Sequence, residues 1–213
     1  AQELYTGGFI SYPRTSSQQL PEAIGFSKIM SDLARQEKYS SLAKKLLKIK
    51  QLTPNQGSKT DPAHPAIYPT GIAPGELEPR RAKVYDLIVK RFFSTFGENA
   101  TRETVSVQLD VKGEGFVAQG TRTIKQGWYE FYAPYVKLSE IELPKMEKGE
   151  PVKIKKITLH SKETSPPKRY TPSSLIKELE QRGLGTKSTR AEIIDTLYRR
   201  NYVTGEAIAA TEL

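Results

Sequence analysis

Apolar positions recur at two different periods along this chain, and the change of period divides it into regions. Between Phe26 and Lys50, Ile29, Leu33, Leu42, Leu46 and Ile49 fall near helical spacing. That pattern predicts two helices broken around Tyr39-Ser40. From Pro79 to Phe96 the stripe Ala82, Tyr85, Ile88 and Phe92 predicts a longer helix, with Pro79 as its first residue and Gly97 as its stop. Between these helices, residues 53–79 are punctuated by Pro54, Pro62, Pro65, Pro69, Pro74 and Pro79 and read as loop. Ala1–Tyr5 reads as the end of a helix stopped by Gly7-Gly8, and Phe9–Tyr12 as a short β-prone run ended by Pro13. Strict alternation over Thr104–Val111 then predicts a half-buried strand, with a turn at Lys112–Gly115 and a partner strand over Phe116–Ile124. Tyr129–Tyr132 and Pro151–His160 are further strand candidates, the latter patterned by Val152, Ile154, Ile157 and Leu159.

After the Ser165-Pro166-Pro167 linker the helical period returns. Thr171 as N-cap and Pro172 as first residue open a helix with the stripe Leu175, Ile176 and Leu179. Gly183-Leu184-Gly185 ends it, and Thr189-x-x-Glu192 has the spacing of a capping box for a second helix with Ile193, Ile194 and Leu197 inward. Asn201–Val203 leaves as a strand, so the segment reads as a helix-turn-helix or winged-helix piece. The fold class expected is α+β and multidomain. Without an initiator methionine or a capped beginning, the chain reads as a piece of a longer protein.

Composition narrows the chemistry. Of 213 residues, 33 are Lys or Arg and 24 Asp or Glu, a formal net charge of +9. Residues 144–200 alone carry 14 basic side chains against 7 acidic. Such a basic segment suits a polyanionic partner, because neutralised phosphates release condensed counterions. It also suits a merely solvated surface. The sequence contains no cysteine, which excludes disulfides, thiol nucleophiles and Cys-bound zinc. No apolar run is long enough for a transmembrane helix, and residues 1–20 lack the basic start and apolar block of a secretory leader.

Three segments hold reactive side chains. In an extended Tyr12-Pro13-Arg14, residues i and i+2 project to one side, so a phenol and a guanidinium address one small volume. That pair supplies an oxygen nucleophile and a clamp for a phosphate. Taken alone it also reads as a surface tyrosine packing on an arginine. His64, in a proline-stiffened loop, can hold a phosphate oxygen or move a proton. Lys187, Ser188, Thr189 and Arg190 sit where a helix begins and where phosphate is attracted. The sequence has no Walker-type loop, no paired-carboxylate cluster, no His-x-x-x-His and no Gly-x-Ser-x-Gly. Phosphoryl chemistry would therefore run through a side-chain nucleophile.

Gly8-Phe9-Ile10-Ser11-Tyr12-Pro13-Arg14-Thr15-Ser16-Ser17 closely resembles the active-site tyrosine motif of type IA DNA topoisomerases. His64-Pro65-Ala66-Ile67-Tyr68-Pro69-Thr70 is similar to that family's histidine motif, and Val84–Phe92 to its next helix. Tyr170–Val203 resembles the stretch with Leu-x-x-x-Leu, Gly-x-Gly and Ser-Thr, although Thr186-Lys187 stands where Arg-Pro is common and Arg190 where an aromatic is frequent. The Ser-Tyr-Pro-Arg wording resembles archaeal topoisomerase I or reverse gyrase.

The resemblance implies that Tyr12 attacks a single-strand phosphodiester and becomes linked to the 5′ phosphate. Arg14 would stabilise that phosphate, His64 would contact it, and Lys187, Ser188, Thr189 and Arg190 would hold the single strand. Residues 1–102 would be the tyrosine-bearing gate domain, 103–160 part of a β-strand arch, and 161–213 a winged-helix-like domain binding single-stranded DNA. The family's Mg²⁺ ligands belong to a toprim domain that precedes this region, so the expected partners are DNA and the parent's toprim domain. A cytoplasmic, nucleoid-associated monomer is the corresponding expectation, with relaxation of negative supercoils without ATP as the activity. A non-enzymatic winged-helix DNA-binding module and a protein-interaction scaffold are the other readings open at this stage.

Overall fold

The computed structural model describes residues 1–212 and divides into two compact units, Ala1–Lys148 and the residues from Gly149 onward. The first unit is built around α4 (Pro79–Thr95). Its start follows from local chemistry: Pro79 occupies the first turn, and the Glu78 carboxylate accepts the backbone N–H groups of Arg80 (3.0 Å) and Arg81 (3.3 Å). Tyr85, Val89, Phe92 and Phe93 form its buried stripe. Against that stripe pack α1 (Gln2–Thr6), α2 (Phe26–Leu33) and α3 (Glu37–Leu46), which contribute Leu4, Ile29, Met30, Leu33, Tyr39, Ala43 and Leu46. Phe26, Phe92 and Phe96 meet at centroid distances of 5.0 to 6.5 Å, a tilted and edge-on arrangement that aromatic quadrupoles favour.

The break between α2 and α3 lies at Ala34–Gln36, not at Tyr39-Ser40. Gln36 is extended (φ −86°, ψ 118°), and its side-chain amide donates to the Gly71 carbonyl at 3.0 Å. Tyr39 is a buried residue of α3 whose ring meets Tyr85 and Phe93. A Tyr-Ser pair looks like an interruption in one dimension, whereas here it alternates a core face with a wetter one.

One buried acid sits in this core region. Asp86 of α4 accepts a hydrogen bond from Tyr135 Oη at 2.7 Å, with Lys38 Nζ at 2.8 Å and Lys90 Nζ at 3.5 Å. Burial by itself would raise its carboxyl, but the Lys38 and Tyr135 donors and the nearby Lys90 charge outweigh burial and hold it below the usual range. Burial first, then the bond to Asp86, pushes the Tyr135 phenol up to about 12. A depressed carboxyl stabilises the fold above its unfolded value near pH 4, and that contribution disappears as pH falls through the folded value. Asp86→Asn should therefore cost about 1–3 kcal/mol at pH 7 and progressively less as pH falls below about 4 and through the folded value, read as the difference in urea midpoint across a pH series. A cost that does not change with pH would show that the charge is irrelevant.

The alternating segment forms a hairpin of β1 (Thr101–Val111) and β2 (Glu114–Lys125), paired antiparallel from Val111↔Glu114 back to Arg102↔Thr123. Its two-residue loop, Lys112-Gly113, has positive φ at both positions (55° and 91°), the geometry that continues the twist of the strands and favours glycine. The Asp110 carboxylate accepts the Gly113 N–H at 3.0 Å. Along β1 the alternation is visible in part: Val107, Leu109 and Val111 are half-buried between exposed neighbours, whereas Val105 is exposed, and in β2 Phe116 is 43% and Val117 64% exposed. Tyr129–Tyr132 is a short helix, α5, not a strand, and it drops Phe131 into the core beside α4. Trp128 N–H, donating to the Glu98 carbonyl at 2.8 Å, fixes the approach to that turn.

In the second unit, residues 151–160 form no strand. Val152, Ile154, Ile157 and Leu159 are exposed, and no strand among the described residues pairs with them. Alternation marks a segment that would suit a sheet, but without a partner its backbone groups turn to water. α6 (Pro172–Gln181) opens as expected: Thr171 Oγ1 accepts the Ser174 N–H (3.2 Å), and Ser174 Oγ accepts the Thr171 N–H (2.8 Å). α7 (Arg190–Arg199) buries Ile194 and leaves Ile193 exposed. The expected Thr189–Glu192 capping box is absent, because Thr189 Oγ1 instead accepts the Thr186 N–H at 2.8 Å. A two-residue antiparallel pair, β3 (Val203–Thr204) with β4 (Ala209–Ala210), follows α7.

Candidate functional site

Two irregular segments of the first unit, residues 8–19 and 59–70, are joined by hydrogen bonds along their length. Thr70 N–H donates to the Phe9 carbonyl (3.0 Å) and Thr70 Oγ1 to the Gly8 carbonyl (2.7 Å). Ser11 N–H donates to the Tyr68 carbonyl, Tyr68 N–H returns a bond to Ser11 Oγ, both at 2.9 Å. Gln18 N–H donates to the Lys59 carbonyl at 2.8 Å. Only an isolated bridge, Ile10 with Pro69, has strand character, so the expected β-prone run at Phe9–Tyr12 is instead a braced loop. Six prolines between residues 53 and 79 remove backbone donors and forbid a helix, which leaves side-chain hydroxyls to complete the bracing.

The helical core anchors the far end of this brace. Gln36 holds the Gly71 carbonyl, and Tyr85 Oη donates to the Ile72 carbonyl at 3.2 Å. Gly71 lies at φ 94°, and a Cβ there would come within 2.8 Å of Asp32 Cβ, so position 71 requires glycine twice over.

The brace brings Tyr12 and His64 together. Their ring centroids are 4.4 Å apart at an interplanar angle of 41°, and Tyr5 also meets Tyr12 edge-on at 5.3 Å. Both residues are half-buried, and Arg14, two residues further on, is exposed. A cavity of about 320 Å³ opens beside His64, lined by Ser17, Gln19, Thr60, Asp61 and Pro65 among others. A phenol oxygen beside an imidazole offers an oxygen nucleophile and a donor suited to an anionic oxygen-rich centre such as a phosphodiester, while the Arg14 guanidinium lies exposed to solvent.

Asp61, Thr15 and Ser11 were not singled out from the sequence, although all three hold this pair in place. Asp61 Oδ1 accepts the N–H groups of Ala63 (3.2 Å) and His64 (3.3 Å), Oδ2 accepts from Ser16 N–H (3.2 Å) and Oγ (3.0 Å), and Thr15 Oγ1 donates to the His64 carbonyl at 3.2 Å. An Asp followed by Pro and placed three residues before the histidine was the available signal, since a carboxylate at that spacing caps the turn after it.

The second set of candidates lies in the other unit, in the turn before α7. Lys187, Ser188 and Thr189 are exposed, and Ser188 Oγ pairs with Thr186 Oγ1 at 2.9 Å. Arg190 is half-buried, with Nε donating to the Leu184 carbonyl (3.0 Å) and a terminal nitrogen to the Gly185 carbonyl (3.2 Å). Its guanidinium thus shapes the glycine turn. Among the described residues no three His, Asp or Glu side chains cluster as metal ligands, and no helix is long and apolar enough to cross a membrane.

A family model described as DNA topoisomerase matches residues 1–213. The chain is 48% identical over 213 residues to DNA topoisomerase 1 of Methanothermobacter thermautotrophicus, covering 100% of this chain and 29% of that protein. It is 50% identical over 204 residues to DNA topoisomerase 1 of Methanocaldococcus jannaschii, covering 95% and 26%. Human DNA topoisomerase 3-alpha is 33% identical over 203 residues, with 95% of this chain and 20% of the human protein covered. Among solved structures, full-length topoisomerase I from Thermotoga maritima superposes with a TM-score of 0.68 at 28% identity, over 95% of this chain and 33% of that one. The chain thus spans a third or less of the length of each of these relatives. These relatives do not favour the reading as a non-enzymatic DNA-binding module.

Proposed function

We propose, since the chain belongs to the type IA family of DNA topoisomerases, that Tyr12 is the nucleophile with which its parent enzyme cleaves one DNA strand, passes a strand and religates, relaxing negative supercoils. The phenol oxygen attacks phosphorus, a P–O bond to Tyr12 forms as the bond to the 3′ oxygen breaks, and the phenol gives up a proton as the 3′ oxygen gains one. The strand stays joined to Tyr12 through its 5′ phosphate. One phosphodiester is exchanged for another, so the reverse step restores the strand without ATP. Arg14 and His64 stabilise the charge that develops on the non-bridging oxygens. The observation that carries this reading is the 4.4 Å contact of the Tyr12 and His64 rings, held by two braced loops.

Residues 1–102 act as the gate domain, 103–160 as part of the β arch, and 161–213 as the winged-helix-like domain that grips single-stranded DNA. The parent works as a monomer in the cytoplasm at the nucleoid. Mg²⁺ does not fit a ligand set within these residues: the Asp61 carboxylate beside His64 already faces N–H and O–H donors. Its ligands are assigned to the parent's toprim domain.

The direct test is covalent trapping by the full-length enzyme with Mg²⁺ and single-stranded DNA, followed by denaturation. Label at the 3′ end should become protein-linked, and label at the 5′ end should be released on the cleaved fragment. The opposite pattern, or no linked label, would refute the mechanism.

In the second unit, Lys187 supplies charge to the strand and Arg190 holds the turn that presents it. Lys187→Ala should weaken single-stranded DNA binding and reduce the slope of log K against log salt by about 0.7, measured by fluorescence anisotropy across a salt series. An unchanged slope would remove Lys187 from the interface.

A further inference from the structure

We infer that Asp61 is a positioning residue of the tyrosine site: its carboxylate fixes His64 against Tyr12 and thereby sets the rate of strand cleavage. This rests on the reading of Tyr12 as the nucleophile.

The geometry of the carboxylate supports the assignment. One oxygen is committed to the His64 loop, through the N–H groups of Ala63 and His64. The other is committed to the tyrosine loop, through the N–H and hydroxyl of Ser16, four residues beyond Tyr12. A single side chain therefore bridges the segment that carries the nucleophile and the segment that carries the imidazole. Hydrogen bonds to an ionised acceptor are about twice as strong as neutral ones, which makes Asp61 a firmer tie than the serine and threonine bonds elsewhere in the brace.

His64 is also held from its other side. Thr15 donates its hydroxyl to the His64 carbonyl, so both backbone groups of the histidine are fixed by residues at or tied to the tyrosine loop. Pro62 and Pro65 flank the turn and lock two φ angles. With its backbone fixed, the imidazole keeps only its own side-chain torsions, and the Tyr12 ring packs against it. Tyr12 is held by the same brace through Ser11, so nucleophile and imidazole share one frame. Removing the Asp61 carboxylate frees the His64 loop without touching either reacting group. A shift on the order of 1 Å in such a group costs about 10²-fold in rate.

The test uses the full-length enzyme and a single-stranded oligonucleotide, with the rate of Tyr12-linked adduct formation read at saturating DNA. Asp61→Ala should slow that rate by about 10–100-fold while the dissociation constant for the same oligonucleotide stays within about twofold. Asp61→Asn, which keeps one carbonyl acceptor and the side-chain volume, should fall between it and the unsubstituted enzyme, and it carries the test if the alanine variant folds poorly. The decisive comparison is a double-mutant cycle with His64→Ala. A residue acting through His64 loses its effect when His64 is gone, so Asp61→Ala or Asp61→Asn should then cost less than about twofold. The same fold-loss in both backgrounds would reduce Asp61 to a general structural tie, and no loss in either would remove it from the site. Both results overturn the inference. If the unsubstituted enzyme gives no adduct that depends on Tyr12, the nucleophile reading fails first and this inference falls with it.

Discussion

Replacing Tyr12 by phenylalanine in the full-length enzyme is expected to abolish the covalent DNA adduct and to cut plasmid relaxation by at least about 10⁴-fold. Phenylalanine keeps the ring that contacts both Tyr5 and His64 and deletes only the oxygen. Folding and DNA binding should therefore stay near their unsubstituted levels, and the loss should appear wholly in the chemical step. His64→Ala serves as the comparison. It removes one stabiliser of developing charge while the nucleophile remains, and losing a single preorganised donor costs about 10²–10³-fold. The order of effects matters as much as their size. Retained relaxation in Tyr12→Phe would refute the mechanism, and an equal loss in the two variants would mean that the rings serve packing and not transfer.

The largest effect on stability is expected from Phe93→Ala, at about 3–5 kcal/mol. Phe93 is fully buried on α4, where it meets Tyr39 of α3. Deleting the ring loses its transfer free energy and leaves a cavity that packed neighbours fill only in part. Domains of this size have total stabilities of about 5–15 kcal/mol, so the variant should lose much of its resistance to urea. The site should suffer with the core, because Tyr85 on the same helix holds the Ile72 carbonyl at the end of the His64 loop. Val117→Ala is the control: at 64% exposure on the hairpin it should change the urea midpoint by less than about 0.5 kcal/mol equivalent. A Phe93→Ala cost no larger than that of Val117→Ala would show that the aromatic cluster does not carry the first unit.

The candidate residues could be named from the sequence because each lies in a short local motif. Tyr12, Pro13 and Arg14 form one triplet, and His64 sits within a run of prolines that permits little but an extended loop. Proline at the start of α4 and the Thr171–Ser174 exchange at the start of α6 could also be read in advance, since a cap involves residues within one turn of each other. The carboxylate of Asp61 was not legible in the same way. Its partner Ser16 lies 45 residues away in sequence, and no local pattern announces a bond between them.

Two of the departures share that cause. Alternation at Pro151–His160 and aromatic content at Tyr129–Tyr132 both suit strands, yet a strand exists only if another backbone lies alongside it. Residues 151–160 have no such neighbour among the described residues, and Phe131 gains more from a place beside α4 than from a sheet. At Thr189 the departure is local: the capping spacing was present, but the hydroxyl accepts the Thr186 N–H three residues upstream instead. The sequence by itself determined where α4 and α6 start, which loop is rich in proline, and which side chains offer a phenol, an imidazole and a positive charge. Only the tertiary structure decided that Tyr12 and His64 touch, that one carboxylate ties their loops together, and that Phe116 and Val117 of the hairpin stand exposed. Local interactions are settled by torsional preference and neighbours a few residues away, whereas contacts between distant segments depend on which surfaces the packed core leaves facing each other.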